Sequence, residues 1–515
     1  MKRRRNLRRL ALVLVLAIFS IGAVGFAPAA SAESTVLNFA LSAEPAHLRV
    51  VNNGGQAGRA IVLNIYRGLF SYRGSEITNE LCESYTIGDD DRTYTFTLRD
   101  AKFHNGDPVT AQDVKFTIDY IMDPDNGATY RSEISNIESA TVLDEKTIQI
   151  VTKEPCAPLL HYLAMPETSI LSEKWVAEHP NLTEEPMGAG PYKFVSWEKG
   201  QYCHVERFED YYRDGYPLTD EIYFWFYPDD DARVNALKSQ EVEIIELTPW
   251  KYLVELENDP TYVNLTEYGA CMSLVFNPAY EPLADPRVRQ AICYAIDREK
   301  CINTAFSGRG RVATGAPVPE TFSGYDPSLE GTYTYDPEKA KELLAEAGYP
   351  DGFDLTILST STYSMHELPA ISIQDDLKKV GINVTLDLPD WATRLTKGAA
   401  SDYQAAIVGM SFDYADPDCL MTYFYGDAVS NNHPEAFVDD ELDMLFDKGR
   451  ATLDPEERAE VYKELYRHLL DVAPSAFFVW RDQSYTILEN VQGFENLSGA
   501  MTIYSPICLE EVTVG

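Results

Sequence analysis

Ala405-Ala-Ile-Val-Gly-Met-Ser-Phe-Asp-Tyr-Ala-Asp-Pro-Asp418 is a short apolar run that breaks into an aromatic and acidic corner. The apolar part predicts a strand, and the corner predicts the loop that ends it. Its two nearest acids separate on chemistry. Asp416 stands directly before Pro417, the signature of a helix N-cap followed by proline at the first helical position. Asp413 has no such duty. Between Phe412 and Tyr414 its carboxylate is partly desolvated and favours a cationic partner, such as the amine of a ligand.

Outward from this corner the second half of the chain alternates helices and strands. Asp285-Pro286, Asp336-Pro337 and Asp454-Pro455 each predict a capped helix start, the last running to about Val472. Leu368 to Lys379 predicts a helix ending at Gly381, Ile382 to Leu386 a strand, and Ala476 to Trp480 another strand. In the first half, residues 35–41, 93–98, 147–151 and 221–227 read as strands and 61–70 as a helix closing near Gly68. Thr110 is a capped start for the helix that follows it. Residues 231–239 read as a helix, and 241–247 alternate as a strand. Such an order implies a mixed α/β sheet. No Gly/Ser-rich linker, repeat or low-complexity tract interrupts it, so at least two lobes joined by crossing strands are expected in a chain of this length.

Met1-Lys-Arg-Arg-Arg-Asn-Leu-Arg-Arg-Leu10 precedes an apolar stretch, Ala11 to Ala27, and Ala30-Ser31-Ala32. This is the layout of a secretory signal over residues 1–32 with cleavage after Ala32. Arg4-Arg5 gives only a faint twin-arginine match, and no cysteine near the cleavage site supports a lipid anchor. Removing the six basic residues of that segment from the 43 Lys and Arg leaves 37 against 81 Asp and Glu, a formal charge of −44. A chain so acidic repels nucleic acid and anionic membrane. Beyond residue 32 no apolar segment is long enough to span a bilayer, so a transport role needs separate membrane subunits.

The eight cysteines are scattered without metal-ligand spacing, and no metal or cofactor site is predicted. Cys293 and Cys301 fall on one predicted helix about 12 Å apart by rise, too far to bridge. No Gly-x-Ser-x-Gly, His-Glu-x-x-His or phosphate-loop motif is present. A secreted hydrolase with paired carboxylates is the alternative from another class, though so many acids make any one pair uninformative.

The segment Tyr85-Thr-Ile-Gly-Asp-Asp-Asp-Arg-Thr-Tyr-Thr-Phe-Thr-Leu-Arg-Asp-Ala-Lys-Phe-His-Asn-Gly-Asp-Pro-Val-Thr-Ala-Gln-Asp-Val114 closely resembles the signature of the family 5 extracellular solute-binding proteins, the peptide and nickel receptors of ABC importers. Further matches follow in the same order: Gly188-Ala-Gly-Pro-Tyr192, residues 231–245, Phe276-Asn277 with 285–299, Gly381-Ile-Asn-Val384, Asp390-Trp391 and the Asp-Tyr-Ala-Asp-Pro corner.

The resemblance implies a two-lobed α/β periplasmic-binding-protein-like fold of the class II or cluster C type. Its first lobe would be built from 33–71, 187–270 and 481–515, with 72–186 as an inserted subdomain. The second lobe would be 271–480. It implies a non-enzymatic, monomeric receptor outside the cytoplasmic membrane, without cofactor, that closes on a peptide and hands it to an ABC permease. A nickel-chelate or other small-solute receptor is the alternative within the family. Asp413 falls where peptide receptors of the family hold the ammonium, flanked by Phe412 and Tyr414, and Trp391 aligns with a pocket aromatic. Where such receptors place arginines for the peptide carboxylate, this chain has Glu367 or Leu368 and Ile407. His366 is the aligned cationic candidate that remains.

Overall fold

In the computed structural model, residues 34–52, 55–74, 76–180, 185–426, 436–497 and 499–515 are described. The segment 1–32, expected as a secretory signal, lies outside them. An 11-stranded mixed sheet runs through the molecule. Its organising pair is two long antiparallel strands, Tyr262–Phe276 and Ser475–Leu488. At one end, Cys271 to Phe276 take Ala405–Met410 as the next neighbour, followed by Asp354–Leu358 and Asn383–Asp387 in parallel. At the other end, Thr486 and Ile487 pair with Ile244–Ile245, and the sheet continues through Val36–Leu41, Glu221–Phe226, Tyr202–Arg207 and Tyr192–Glu198. Two strands thus carry the chain between two halves of one sheet.

Where they cross, the register slips. Tyr268 pairs with Asp482 and Cys271 with Trp480, so Gly269 and Ala270 together oppose Arg481. Two residues against one is a β-bulge, a device that bends a strand and re-aims a side chain. Burial marks the same place: the Ser475–Leu488 strand is buried throughout except at Arg481 and Asp482. Gly269 suits the spot, because a Cβ there would stand 2.7 Å from Gln483 Oε1.

A separate four-stranded antiparallel sheet, Cys82–Ile87, Thr93–Leu98, Thr147–Thr152 and Ile137–Val142, lies within the segment expected as an insertion. It packs the helix Ala111–Met122, whose predicted cap is a complete capping box between Thr110 and Asp113. The Asp-Pro helix starts are also found, with Asp285, Asp336 and Asp454 each accepting a first-turn backbone N–H.

Four local expectations are corrected. The helix expected over 61–70 spans Gln56–Ile65, because it is buried all round and offers no polar face from which to read its phase. The alternation over 241–247 yields only Ile244–Ile245 as strand. Its acids serve neighbouring backbone instead, Glu243 accepting from Asn38 N and Glu246 from Ser42 N, each at 2.7 Å. Cys293 and Cys301 sit on two helices, Pro286–Ala295 and Arg298–Ala305, the second restarted by an Asp297 cap. The helix expected from Leu368 begins at Ser364 and carries Pro369 inside it. All eight cysteines are free and buried. No described helix is long and apolar enough to cross a membrane.

Candidate functional site

The Ala405–Met410 strand ends, as its sequence predicts, at the acidic corner, and the corner's acids divide their work. Asp416 caps the short helical turn Pro417–Leu420 by accepting from Asp418 N. It also receives a two-pronged bond from Arg458, at 2.6 and 2.8 Å. Burial opposes its charge, but Arg458 outweighs burial and holds the carboxyl below its usual range. Asp418 is fully buried and accepts from Tyr162, Tyr414 and Tyr462, with Arg450 at 3.4 Å.

Asp413 meets a cation that belongs to the protein. Arg59 Nη2, from the helix Gln56–Ile65, lies 2.7 Å from Asp413 Oδ1 and 3.1 Å from Glu167 Oε1. The same nitrogen donates to the Tyr130 hydroxyl at 2.9 Å, and the guanidinium lies over the Tyr504 ring. Burial works against the Arg59 charge, and Glu167 and Asp413 more than restore it. Glu133, beside this group and bonded to Ser132 Oγ at 2.7 Å, is pushed up to about 7 by burial, with Asp413 and Asp418 adding to the shift. Phe412 and Tyr414, expected to face a ligand, are core residues. Phe412 packs on Phe322 and Trp480, and Tyr414 stands edge-on to Tyr162. The strand stops at Met410, so Asp413 and its neighbours lie in the bend after it and not on an alternating strand.

A cavity of about 230 Å³ opens next to the corner, against the crossing of the two long strands. Ala270, Met272, Val408, Gly409 and Arg481 form its strand side. Its helical side comes from two first turns, those of Ser364–Lys378 and Trp391–Ala399. Asp390 caps the latter, accepting from Thr393 N at 3.0 Å, and so fixes Trp391 at its start. Arg394 is one turn on, which sets its guanidinium 5.4 Å from the Trp391 ring centre. Arg394 Nη2 donates to Ile407 O at 2.9 Å. His366 is a buried residue of the helix Ser364–Lys378, 5.4 Å from Trp391 between ring centres.

The cavity's electrostatics are one-sided. Neither Arg394 nor Arg481 has an acidic partner among the described residues, and the Nε of each is enclosed without an acceptor. Burial lowers both, Arg481 to about 10. Burial, then Arg394 and Arg481, hold His366 down to about 3, so its ring is neutral at pH 7. Its Nδ1 is buried without a partner. Two arginines outside the expected positions thus line the cavity. Arg394 was legible only as a helical neighbour of Trp391, and Arg481 depends on a bulge that no local pattern announces. Among the described residues no group of His, Cys, Asp and Glu is placed to hold a metal ion.

A sheet shared by two halves with a cavity at the crossing is an arrangement suited to holding a solute. The chain belongs to the bacterial extracellular solute-binding proteins, family 5, matching that family's middle region over residues 76–432. Members are non-enzymatic, substrate-receiving components of ABC importers. Among solved structures it is similar to the binding protein AgaA of Agrobacterium tumefaciens R10 in complex with agropinic acid, with 41% identity, TM-score 0.88 and coverage of 93% of this chain and 99% of that one. It is also similar to DppA of Helicobacter pylori in complex with the peptide STSA, with 27% identity, TM-score 0.84 and coverage of 93% and 98%. The glutathione-binding protein GsiB of Salmonella typhi is 29% identical over 422 residues, 79% of this chain and 81% of its own.

Proposed function

We propose that this chain captures a peptide-sized solute, a short peptide or an amino-acid derivative, by closing two lobes around the cavity beside Trp391, and delivers it to a membrane permease as a monomer. The lobes are taken as 33–71, 187–270 and 481–515 with 72–186 inserted, against 271–480. The observation that carries the reading is the cavity at the crossing of the Tyr262–Phe276 and Ser475–Leu488 strands, walled by Trp391 and His366. Both walls of the cavity belong to 271–480, with Ala270 and Arg481 at the crossings, so a solute seated there stabilises closure by also meeting the first lobe. Peptide, glutathione and agropinic acid, the ligands named for the similar proteins, support a solute of that size and kind. Export across the cytoplasmic membrane, with the signal removed after Ala32, belongs to the same reading.

Asp413 is assigned to closure through Arg59, and Trp391 and His366 to the solute. Native mass spectrometry of the mature protein purified from its own host is expected to release a bound solute. Small-angle scattering is expected to show a smaller radius with it than without. An unchanged radius on stripping and reloading the protein would overturn the receptor mechanism.

A further inference from the structure

We infer that three buried tyrosines of the first lobe, Tyr504, Tyr72 and Tyr162, form a latch on the acidic corner of the second, and that this latch sets how long a captured solute stays without touching the solute itself. The inference rests on the receptor reading, with its lobe boundaries, and adds the groups that hold the closed form. Tyr504 donates its hydroxyl to the backbone carbonyl of Asp413. Tyr72 accepts from Ala415 N at 3.4 Å, and Tyr162 donates to the Asp418 carboxylate. The three come from separate elements: the C-terminal segment Gly499–Glu511, the strand Phe70–Arg73 and the short helix Leu159–Tyr162. All three converge on residues 413–418, and none of them is among the residues that line the cavity.

Packing alone would be served by phenylalanine, so tyrosines buried this deeply are read through their hydroxyls. Two of those hydroxyls meet backbone. Asp413 O and Ala415 N lie in the bend after the Ala405–Met410 strand, where no sheet partner serves them, so they bond to the other lobe or, when the lobes part, to water. Such an exchange is reversible, and each bond biases the balance toward closure by about fivefold. Burial keeps all three hydroxyls protonated by raising them well above the ordinary tyrosine range. Tyr72 also lies 2.8 Å from His161 Nδ1, so its proton has a partner on its own lobe while its oxygen accepts from Ala415. The segment that carries Tyr504 is fixed to the first lobe: Asn64 Nδ2 donates to Pro506 O at 3.0 Å, and the Tyr485 hydroxyl to Thr502 O at 3.2 Å. The Arg59 guanidinium, 5.8 Å from the Tyr504 ring centre, meets the same corner through Asp413.

The test uses the mature protein purified with its retained solute, diluted into solute-free buffer and followed by native mass spectrometry. Tyr504→Phe and Tyr72→Phe keep the rings and remove the hydroxyls. Each is expected to release the solute about fivefold faster than wild type, and the double variant about 25-fold faster, with the rate of rebinding unchanged because the latch forms after the solute is seated. Hydrogen exchange across 411–418 in the loaded protein should quicken in the same order, while that of 405–410 stays as it is. Stripped of solute, the variants should melt with the wild type, since the hydroxyls of an open molecule are solvated. A merely structural role would instead lower the melting temperature of the stripped protein and leave release at the wild-type rate. Release at the wild-type rate in the double variant, or quicker release from a protein that melts well below wild type when stripped, would each overturn the inference. The receptor reading fails separately: a protein that carries no solute and keeps one radius sinks it and the latch with it, whereas unmoved release in a protein that compacts sinks the latch alone.

Discussion

Arg59 Nη2 stands 2.7 Å from Asp413 Oδ1, joining a helix of the N-terminal stretch to the corner that follows the Ala405–Met410 strand. On the proposed boundaries this pair spans the two lobes. The side chains are only 10% and 19% exposed, so the pair is screened far less than a surface ion pair. Glu167 shares the same guanidinium at 3.1 Å, so Arg59 serves two acids at once. Losing the arginine is therefore worse than losing any one acid.

The first prediction follows from that asymmetry. Arg59→Met should destabilise the closed form by about 3–5 kcal/mol, the usual cost of stranding buried charge. Asp413→Asn leaves Arg59 with Glu167 and should cost less than half as much. Acetylating the amine of a bound solute should change its affinity little, because the protein already supplies the cation at Asp413. Calorimetry on matched free and acetylated ligands checks the last point. A loss of a hundredfold on acetylation would return Asp413 to the role of amine anchor.

Glu133 gives the pH dependence. Its carboxyl titrates at about 7 in the folded protein against 4.5 when exposed, so the folded state binds the extra proton. Its contribution is complete below pH 4.5 and is lost as pH rises through 7. The linked change is about 3 kcal/mol. Denaturation midpoints should fall between pH 5 and 7.5 in the wild type, and Glu133→Gln should flatten that slope. Asp416 works in the opposite sense, since its depressed carboxyl loses its contribution only as pH falls below the ordinary aspartate range. A slope unchanged in Glu133→Gln would remove Glu133 from the linkage.

What the sequence discloses and conceals follows one rule. Signals that act within a turn or two are legible: the Asp-Pro caps at 285, 336 and 454, the Thr110 capping box and the strand at 405–410 all stand where their residues place them. Contacts between distant segments are not. Nothing near Asp413 announces Arg59, 354 positions earlier, and nothing near Trp391 announces Arg481, whose place depends on a slip of register between two strands. Trp391 and His366, named through resemblance, line the cavity, while Phe412 and Tyr414, named for their closeness to Asp413 in sequence, are buried among core aromatics.

The glycine pair of Gly188-Ala-Gly190 is a test of packing rather than of turn formation. A Cβ on Gly188 would stand 2.3 Å from Ile65 O, and one on Gly190 2.6 Å from Asn64 O, both backbone atoms at the end of a buried helix. Neither can move without unseating that helix and, with it, Arg59. Gly188→Ala and Gly190→Ala should each destabilise by about 1–3 kcal/mol or more through overpacking. Chemical denaturation measures the loss, and an alanine tolerated within a few tenths of a kcal/mol at both positions would contradict the close approach.

Asp416 and Asp413 provide the last prediction, because they differ by three residues and should fail in different ways. Asp416 is 4% exposed, caps a helical turn and holds both prongs of Arg458. Asp416→Ala removes the cap, worth about 1 kcal/mol, and leaves the buried Arg458 unpaired, worth about 3–5 kcal/mol. Tyr162, Tyr414 and Tyr462 all converge on Asp418 nearby, so the disturbance spreads into packed core rather than into solvent. The variant should therefore melt far below wild type whether or not solute is present. Asp413→Asn should melt close to wild type when open and differ chiefly in how readily it closes. Melting curves with and without the retained solute distinguish the two. If both variants lose only the solute-dependent increment, Asp416 serves the site and not the fold.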